Sequence, residues 1–449
     1  MKTFTATIAL AICSSTAAAQ SLPPIRQLGP VTAVNKDSLG AISTVRQLSD
    51  GRVLVNDIIG RRVILFDSTL ANETVVADTT SATANAYGTR PGGLIAYRGD
   101  STLFIDPASL SMLLIDPSGK IARVMSAPRA QDVGFLIGGP FGTPGFDPQG
   151  RLVYRAPPDF RMFAAAFGGG GGGSPPTPPD SAAIVRFDLA TRKLDTVTYF
   201  KTPKINLTIT RAPNGGGIRV MSTVNPMPQG DDWALLPDGT IAIVRNRDFH
   251  IDWLDPNGKL TSTPKIPFEW QRLTDEQKVA FVDSAKTALE KMRASGQFGL
   301  GGNQVVMRTT TAGPPGGTSA PTASSTPHTA GATASGGGNA TTVTAVGPGG
   351  AASAQLPDIN MVSPTELPDY RPAFTPGSTR ADSEGNLWIR TSQSVDGRPV
   401  YDVVNRKGDL IDRVQIPANR AIIGFGSGGI VYLGVRDGMV AHLEKARVR

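Results

Sequence analysis

Apolar residues in this chain gather into short alternating or wholly apolar runs, and six of these runs are entered through a tight-turn signal. Asp50-Gly51 precedes RVLVN, Gly99-Asp100 precedes STLFI, and Gln149-Gly150 precedes RLVYR. Asp238-Gly239 precedes TIAIVR, Glu384-Gly385 precedes NLWIR, and Gly428-Gly429 precedes IVYLG. Turn residues followed by a β-rich run predict hairpins. A second mark, an apolar residue followed by an acid or amide, predicts the end of a later strand. Its copies are Phe66-Asp67, Ile115-Asp116, Phe187-Asp188, Leu254-Asp255, Val404-Asn405 and Leu443-Glu444. The two marks lie 16 residues apart at 51–67, 100–116 and 239–255, 15 apart at 429–444 and 20 apart at 385–405. The longer 150–188 interval contains a glycine run. Each unit therefore reads as four strands, in the second unit GGLIAY, STLFI, SMLLI and IARVM.

Four antiparallel strands repeated six times predict an all-β fold, a six-bladed β-propeller. A sandwich does not repeat one four-strand unit with matched turns. The last unit runs out of chain after its third strand, while 25–34 (IRQLGPVTAV) has no local partner. That segment is expected to supply the outer strand of the last blade and close the ring.

The elements ALLPDGTIAIV, WLDPNGK and RADSEGNLWIR carry a resemblance to six-bladed propellers of the TolB-like and NHL-like type. The resemblance implies the fold and leaves function open, because propellers host binding proteins, lactonases, lyases and scaffolds alike. Calcium-dependent lactonases of similar fold hold their metal with Glu, Asn and Asp side chains from inner strands. The inner strands here, such as AISTVRQLS and GGLIAYRG, offer mainly apolar and arginine side chains, with Asp382 the chief exception.

Of the 449 residues, 51 are glycine and 36 proline, and they cluster in turns and insertions without a collagen period. The net charge of +7, from 44 basic and 37 acidic residues, is too small an excess for a nucleic-acid footprint. Residues 1–19 read as a signal peptide: Lys2, an apolar run, then Ala17-Ala18-Ala19. Cleavage there removes the one cysteine, Cys13, and with it any disulfide or thiol chemistry. The expected product is exported, periplasmic or secreted, with no later membrane insertion and a monomeric propeller over 20–449.

In a four-stranded blade, the first-to-second and third-to-fourth turns share one face of the ring, and the remaining connections share the other. The long insertions all fall on the second face: 156–179, rich in Gly and Pro, 207–229, and the crossing after blade four. The last contains a predicted helix at 272–296, opened by the capping box Thr274-Asp275-Glu276-Gln277, with Val279, Val282, Leu289 and Met292 along one side. The charge-free stretch 309–357 is expected to be disordered. Insertions gathered on one face mark a binding surface.

No H-E-x-x-H or G-x-S-x-G motif is present, so no catalytic residue, metal or cofactor is assigned. Asp248-Phe249-His250-Ile251-Asp252 has the form of a metal site, yet Asp252 and Asp402 accompany Arg245 and Arg390 at matching repeat positions. Cross-strand ion pairs are the expected role for these acids. The candidate ligand-binding set is Arg46, Arg155, Arg245, Arg247, Arg380, Asp382 and Arg390. Arg155, Arg245 and Arg390 end second strands, while Arg46 and Arg380 lie on innermost strands. Arginines converging on a channel mouth favour an anionic group. The expected function is a non-catalytic scaffold for a protein, a glycan or a small anion, the alternative a lactonase-like hydrolase or lyase at the channel.

Overall fold

A computed structural model describes residues 22–80, 85–88, 90–158, 179–204, 206–211, 218–294 and 360–448, with three two-residue strands between 303 and 344. The expected signal peptide and most of 156–179 and 309–357 lie outside these residues.

Six blade sheets follow one another along the chain, and a separate hairpin, Asn206–Arg211 with Ile218–Thr223, stands between blades three and four. Blade one comprises Ile42–Gln47, Val53–Asp57, Arg62–Phe66 and Glu73–Asp78. Blade two comprises Gly93–Ala96, Thr102–Asp106, Ser111–Ile115 and Ile121–Ser126. Blade three holds Gly145–Phe146, Leu152–Arg155, Ser181–Phe187 and Leu194–Lys201. Blade four holds Asp232–Leu235, Ile241–Arg245, His250–Leu254 and Leu260–Ser262. Blade five holds Phe374–Ala381, Leu387–Val395, Arg398–Val404 and Leu410–Gln415. Arg420–Gly426, Ile430–Asp437 and Val440–Arg447 begin blade six. Sheet order runs from inner to outer strand in sequence, as expected of a six-bladed propeller.

Turn chemistry explains why the repeat is legible. Gly51, Gly150, Gly239 and Gly385 hold φ between +78° and +87°, where a side chain is strained. At the second mark, the carboxylate of Asp116 accepts the backbone N–H groups of Ser118 and Lys120, and Asp255 does the same for Asn257 and Lys259. Asn405 repeats the arrangement with Lys407 and Asp409. Glu444 departs from the pattern. It sits inside Val440–Arg447, paired to Arg420 at 2.6 Å, because no third-to-fourth turn follows in the last blade.

The segment that closes the ring divides in two. Val31–Val34 pairs antiparallel with Val440–Arg447 as the outer strand of blade six. Ile25–Gln27 instead lies parallel to Leu410–Gln415, adding a fifth strand to blade five. The sequence reading placed the whole of 25–34 on one blade. The two strands are separated by Leu28, Gly29 and Pro30, and Pro has no N–H to donate to a continuous ladder.

Packing locks the ring. Each of six apolar clusters spans one junction between neighbouring blades. One joins Leu54 and Val63 of blade one to Phe104 and Leu113 of blade two. Another joins Val53 and Phe66 to Tyr432 and Leu443 across the closure. Burying such side chains contributes about 1.5–3 kcal/mol each, so every blade depends on both neighbours.

Helix α1, Asp275–Ala294, lies on the insertion-bearing face. Its capping box forms as expected: the Gln277 side chain accepts from Thr274 N–H at 3.0 Å, and Thr274 Oγ1 accepts from Gln277 N–H at 3.3 Å. Val282 and Leu289 are buried, against Met227 and Val362, and Val224, respectively. Val279 is exposed, and Phe281 takes the position in the contact expected of it. The Met292 side chain lies outside the description.

Candidate binding site at the channel mouth

The arginines ending the second strands do not share a sheet face. Arg245 lies six residues past its turn glycine, whereas Arg155 and Arg390 lie five past theirs. Side chains alternate along a strand, so this single-residue offset sends Arg245 to the face opposite the other two.

On its face, Arg245 meets two carboxylates. Nη1 lies 2.7 Å from Asp231, and Nε lies 2.7 Å from Asp252. Burial pushes the Asp252 carboxyl up, but hydrogen bonds from Ser262 and Arg245 outweigh it, and the group ends below its ordinary value. His250 Nδ1 lies 2.6 Å from Asp248, and Nε2 lies 3.4 Å from Asp252. Among the described residues, no group of three His, Cys, Asp or Glu side chains is arranged to hold a metal ion. The cross-strand pair expected for blade four is present.

Its counterpart in blade five is not. Asp402 stands opposite Ile389 and Arg390 opposite Tyr401, so acid and arginine occupy opposite faces. Asp402 pairs instead with Arg413 on the outer strand, at 3.4 Å. Burial pushes Asp402 up to about 7, against the pull of Arg413.

Arg390 is exposed, and no described acid forms an ion pair with it or with Arg380. Both act on the buried phenol of Tyr401, which burial pushes up and the charges of Arg390 and Arg380 pull down. Arg380 also reaches out of blade five to Thr143 Oγ1, just ahead of the inner strand of blade three, in a long contact of 3.4 Å. It therefore lies at the channel. These two arginines stand together on one face of blade five and remain available to a ligand.

The other members separate. Arg155 packs among Phe135, Phe141 and Phe200, with its carbon Cζ 5.1–5.9 Å from the three ring centroids. Burial pulls it down to about 10, with Asp232 opposing. Asp232 is itself buried and shifted up by burial, while its carboxylate accepts from Thr379 N–H at 2.7 Å and its own neighbour Trp233 N–H at 2.9 Å. This carboxylate ties blade four to blade five. Arg46 donates to the carbonyl of Gly99, in the first-to-second turn of blade two, and so lies toward the turn face, away from the insertions. Arg247 is exposed at the tip of the second-to-third turn of blade four. Asp382 is occupied as a turn anchor, accepting from the backbone of Glu384 and Asn386 and from the indole of Trp388.

Sequence reasoning overlooked Asp231 and Asp232. Their signal was available: two consecutive acids open an otherwise apolar inner strand, DDWALL. Tyr401 and Arg413 carried no such signal, because only register places them beside their arginine and acid.

Comparison with known proteins gives likenesses of shape. A gluconolactonase from Xanthomonas campestris aligns with a TM-score of 0.37 and 10% identity, covering 94% of this chain and 99% of that one. Virginiamycin B lyase from Staphylococcus aureus gives 0.32 and 10%, covering 91% and 85%. TolB from Acinetobacter baumannii gives 0.31 and 11%, covering 91% and 65%. No family model and no curated protein matches the chain.

Proposed function

We propose that this chain is an exported, non-catalytic binding propeller that takes an anionic group in its central channel, beside blade five. Arg380 and Arg390 are the recognising cations. The observation carrying this reading is their availability: Arg245 is occupied by two carboxylates, while these two share one face of blade five with no acid paired to them among the described residues. Guanidinium groups take carboxylates and phosphates with two parallel hydrogen bonds, so a uronate, a sugar acid or a phosphate fits the chemistry. Asp252 held by Arg245, and Asp382 held in its turn, support binding over a hydrolase or lyase that would need free carboxylates at the channel.

Calorimetric titration with galacturonate, gluconate and inorganic phosphate tests this. Binding is expected to weaken with salt and to be lost in Arg380→Ala/Arg390→Ala, while Arg46→Ala, whose guanidinium is held by the carbonyl of Gly99, retains it. Affinity unchanged in the double variant would overturn the reading. Metal-dependent lactone turnover would replace it with the enzymatic alternative.

A further inference from the structure

The crossing from blade four to blade five carries an aromatic platform that the arginine site does not use. Gln271 accepts from Arg371 N–H at 2.9 Å, and Leu273 N–H donates to Asp369 at 2.8 Å. These bonds bracket the antiparallel bridge between Arg272 and Tyr370. Such a pair, flanked by hydrogen bonds but making none itself, brings its two side chains closest together. Trp270 stands two residues before Arg272, the spacing that returns side chains of an extended chain to one side. Trp270 is 40% exposed and Tyr370 50%. Among the described residues only one other aromatic side chain, Tyr199, is as open to solvent.

Single exposed apolar residues need no explanation, but two exposed aromatics on one short ribbon, with an arginine between them, are a different matter. The ribbon is also held in place. Phe268 meets Trp270 edge-on at 5.3 Å and meets the buried Phe249 at 5.6 Å, tying the platform to the blade core. On the other side, Lys278 of helix α1 lies 2.7 Å from Asp369, and Leu273 packs with Val282 and Leu367. The helix thus serves as a buttress. The guanidinium of Arg272 stands on the same side as the two rings, while Glu269, in a 3.5 Å contact with Gln393, and Asp369, paired to Lys278, lie on the other side of the ribbon.

We propose that this platform binds a saccharide chain. Sugar rings present C–H faces that stack on aromatic side chains, and rims of hydroxyls that both donate and accept hydrogen bonds. Two exposed aromatics on a braced ribbon, with the guanidinium of Arg272 beside them as a hydrogen-bond donor, match both requirements. A nucleic acid does not fit, because one guanidinium beside the rings is too small a basic footprint for its phosphates. The platform does not include Arg380 or Arg390, so neutral glycans distinguish its failure from failure of the arginine reading.

The four tryptophans make the test direct, since Trp233, Trp253 and Trp388 are buried and Trp270 alone is exposed. The full chain is titrated with laminarin, galactomannan, chitohexaose and polygalacturonate, following tryptophan emission and mobility in glycan-containing native gels. At least one glycan is expected to shift the emission to the blue and retard the protein. Trp270→Ala and Tyr370→Ala should each weaken retardation about tenfold, the scale of a lost stacking contact, while Trp270→Phe loses less. Tyr199→Ala should leave it unchanged, and melting temperatures verify that each variant is folded. The proposal is overturned if all four glycans leave emission and mobility unaltered, or if Trp270→Ala binds like the parent. It is equally overturned if only a polyglutamate peptide binds, since that points to a protein partner.

Discussion

Replacing Arg245 with alanine tests whether the blade-four acids are structural partners or free functional groups. The side chains of Asp231 and Asp252 are each 8% exposed, and both lie 2.7 Å from the guanidinium. Removing one member of a buried pair leaves an uncompensated charge and costs about 3–5 kcal/mol. Residual donors moderate this. Asp231 keeps the backbone N–H groups of Asn246 and Lys201, and Asp252 keeps the hydroxyl of Ser262. The lower end, about 3 kcal/mol, is therefore expected at pH 7, a fall of roughly 3 °C in Tm for a chain of this size.

The pH dependence sharpens the test. In the parent, Asp252 lies below its ordinary value, so its stabilisation is present above about pH 4 and is lost as pH falls through the folded value. In the variant, burial without the guanidinium raises the folded value above the unfolded one. The folded variant then binds the extra proton, and it regains stability as pH falls from 7 toward 5. Urea denaturation at pH 5, 6 and 7 should show the difference between parent and variant shrinking as pH falls. Adding Asp252→Asn should restore part of the loss, giving a coupling of about 1 kcal/mol or more. A loss below about 1 kcal/mol that stays constant across these pH values would refute the assignment, because an ion pair of that burial cannot be both cheap and pH-independent.

Two further outcomes follow from the same physics. Asp402, raised by burial to about 7, keeps its proton in the fold where the unfolded chain has lost it, so its contribution to stability falls as pH rises from about 4 to about 7 and is flat above. Asp402→Asn should flatten that part of the pH profile of urea midpoints, and an unchanged slope would count against the carboxyl. Removing residues up to 35 takes away the outer strand of blade six and bares the edge of Val440–Arg447. Size-exclusion chromatography with light scattering should then show self-association and thermal melts a lower Tm, whereas a monomer melting like the parent would contradict closure by this strand.

The fold was legible because propeller turns demand specific chemistry at fixed intervals. Glycine at a positive φ and an acid accepting consecutive backbone N–H groups are local requirements, satisfied within a few residues, so they are written directly into the chain. The capping box at Thr274 was readable for the same reason. What stayed hidden depended on parity and on distant partners. Arg155, Arg245 and Arg390 looked equivalent, but the register of each strand relative to its turn decides which neighbour an arginine meets: aromatic rings, two carboxylates, or a phenol and solvent. A one-residue offset reverses the face of every side chain beyond it. Likewise, local pattern announced that 25–34 would pair somewhere, yet only the closed ring assigned Ile25–Gln27 to blade five and Val31–Val34 to blade six. Turns and strands answer to neighbours in sequence. Ion pairs, available charges and ring closure answer to neighbours in space, which the chain acquires only when six blades pack against one another.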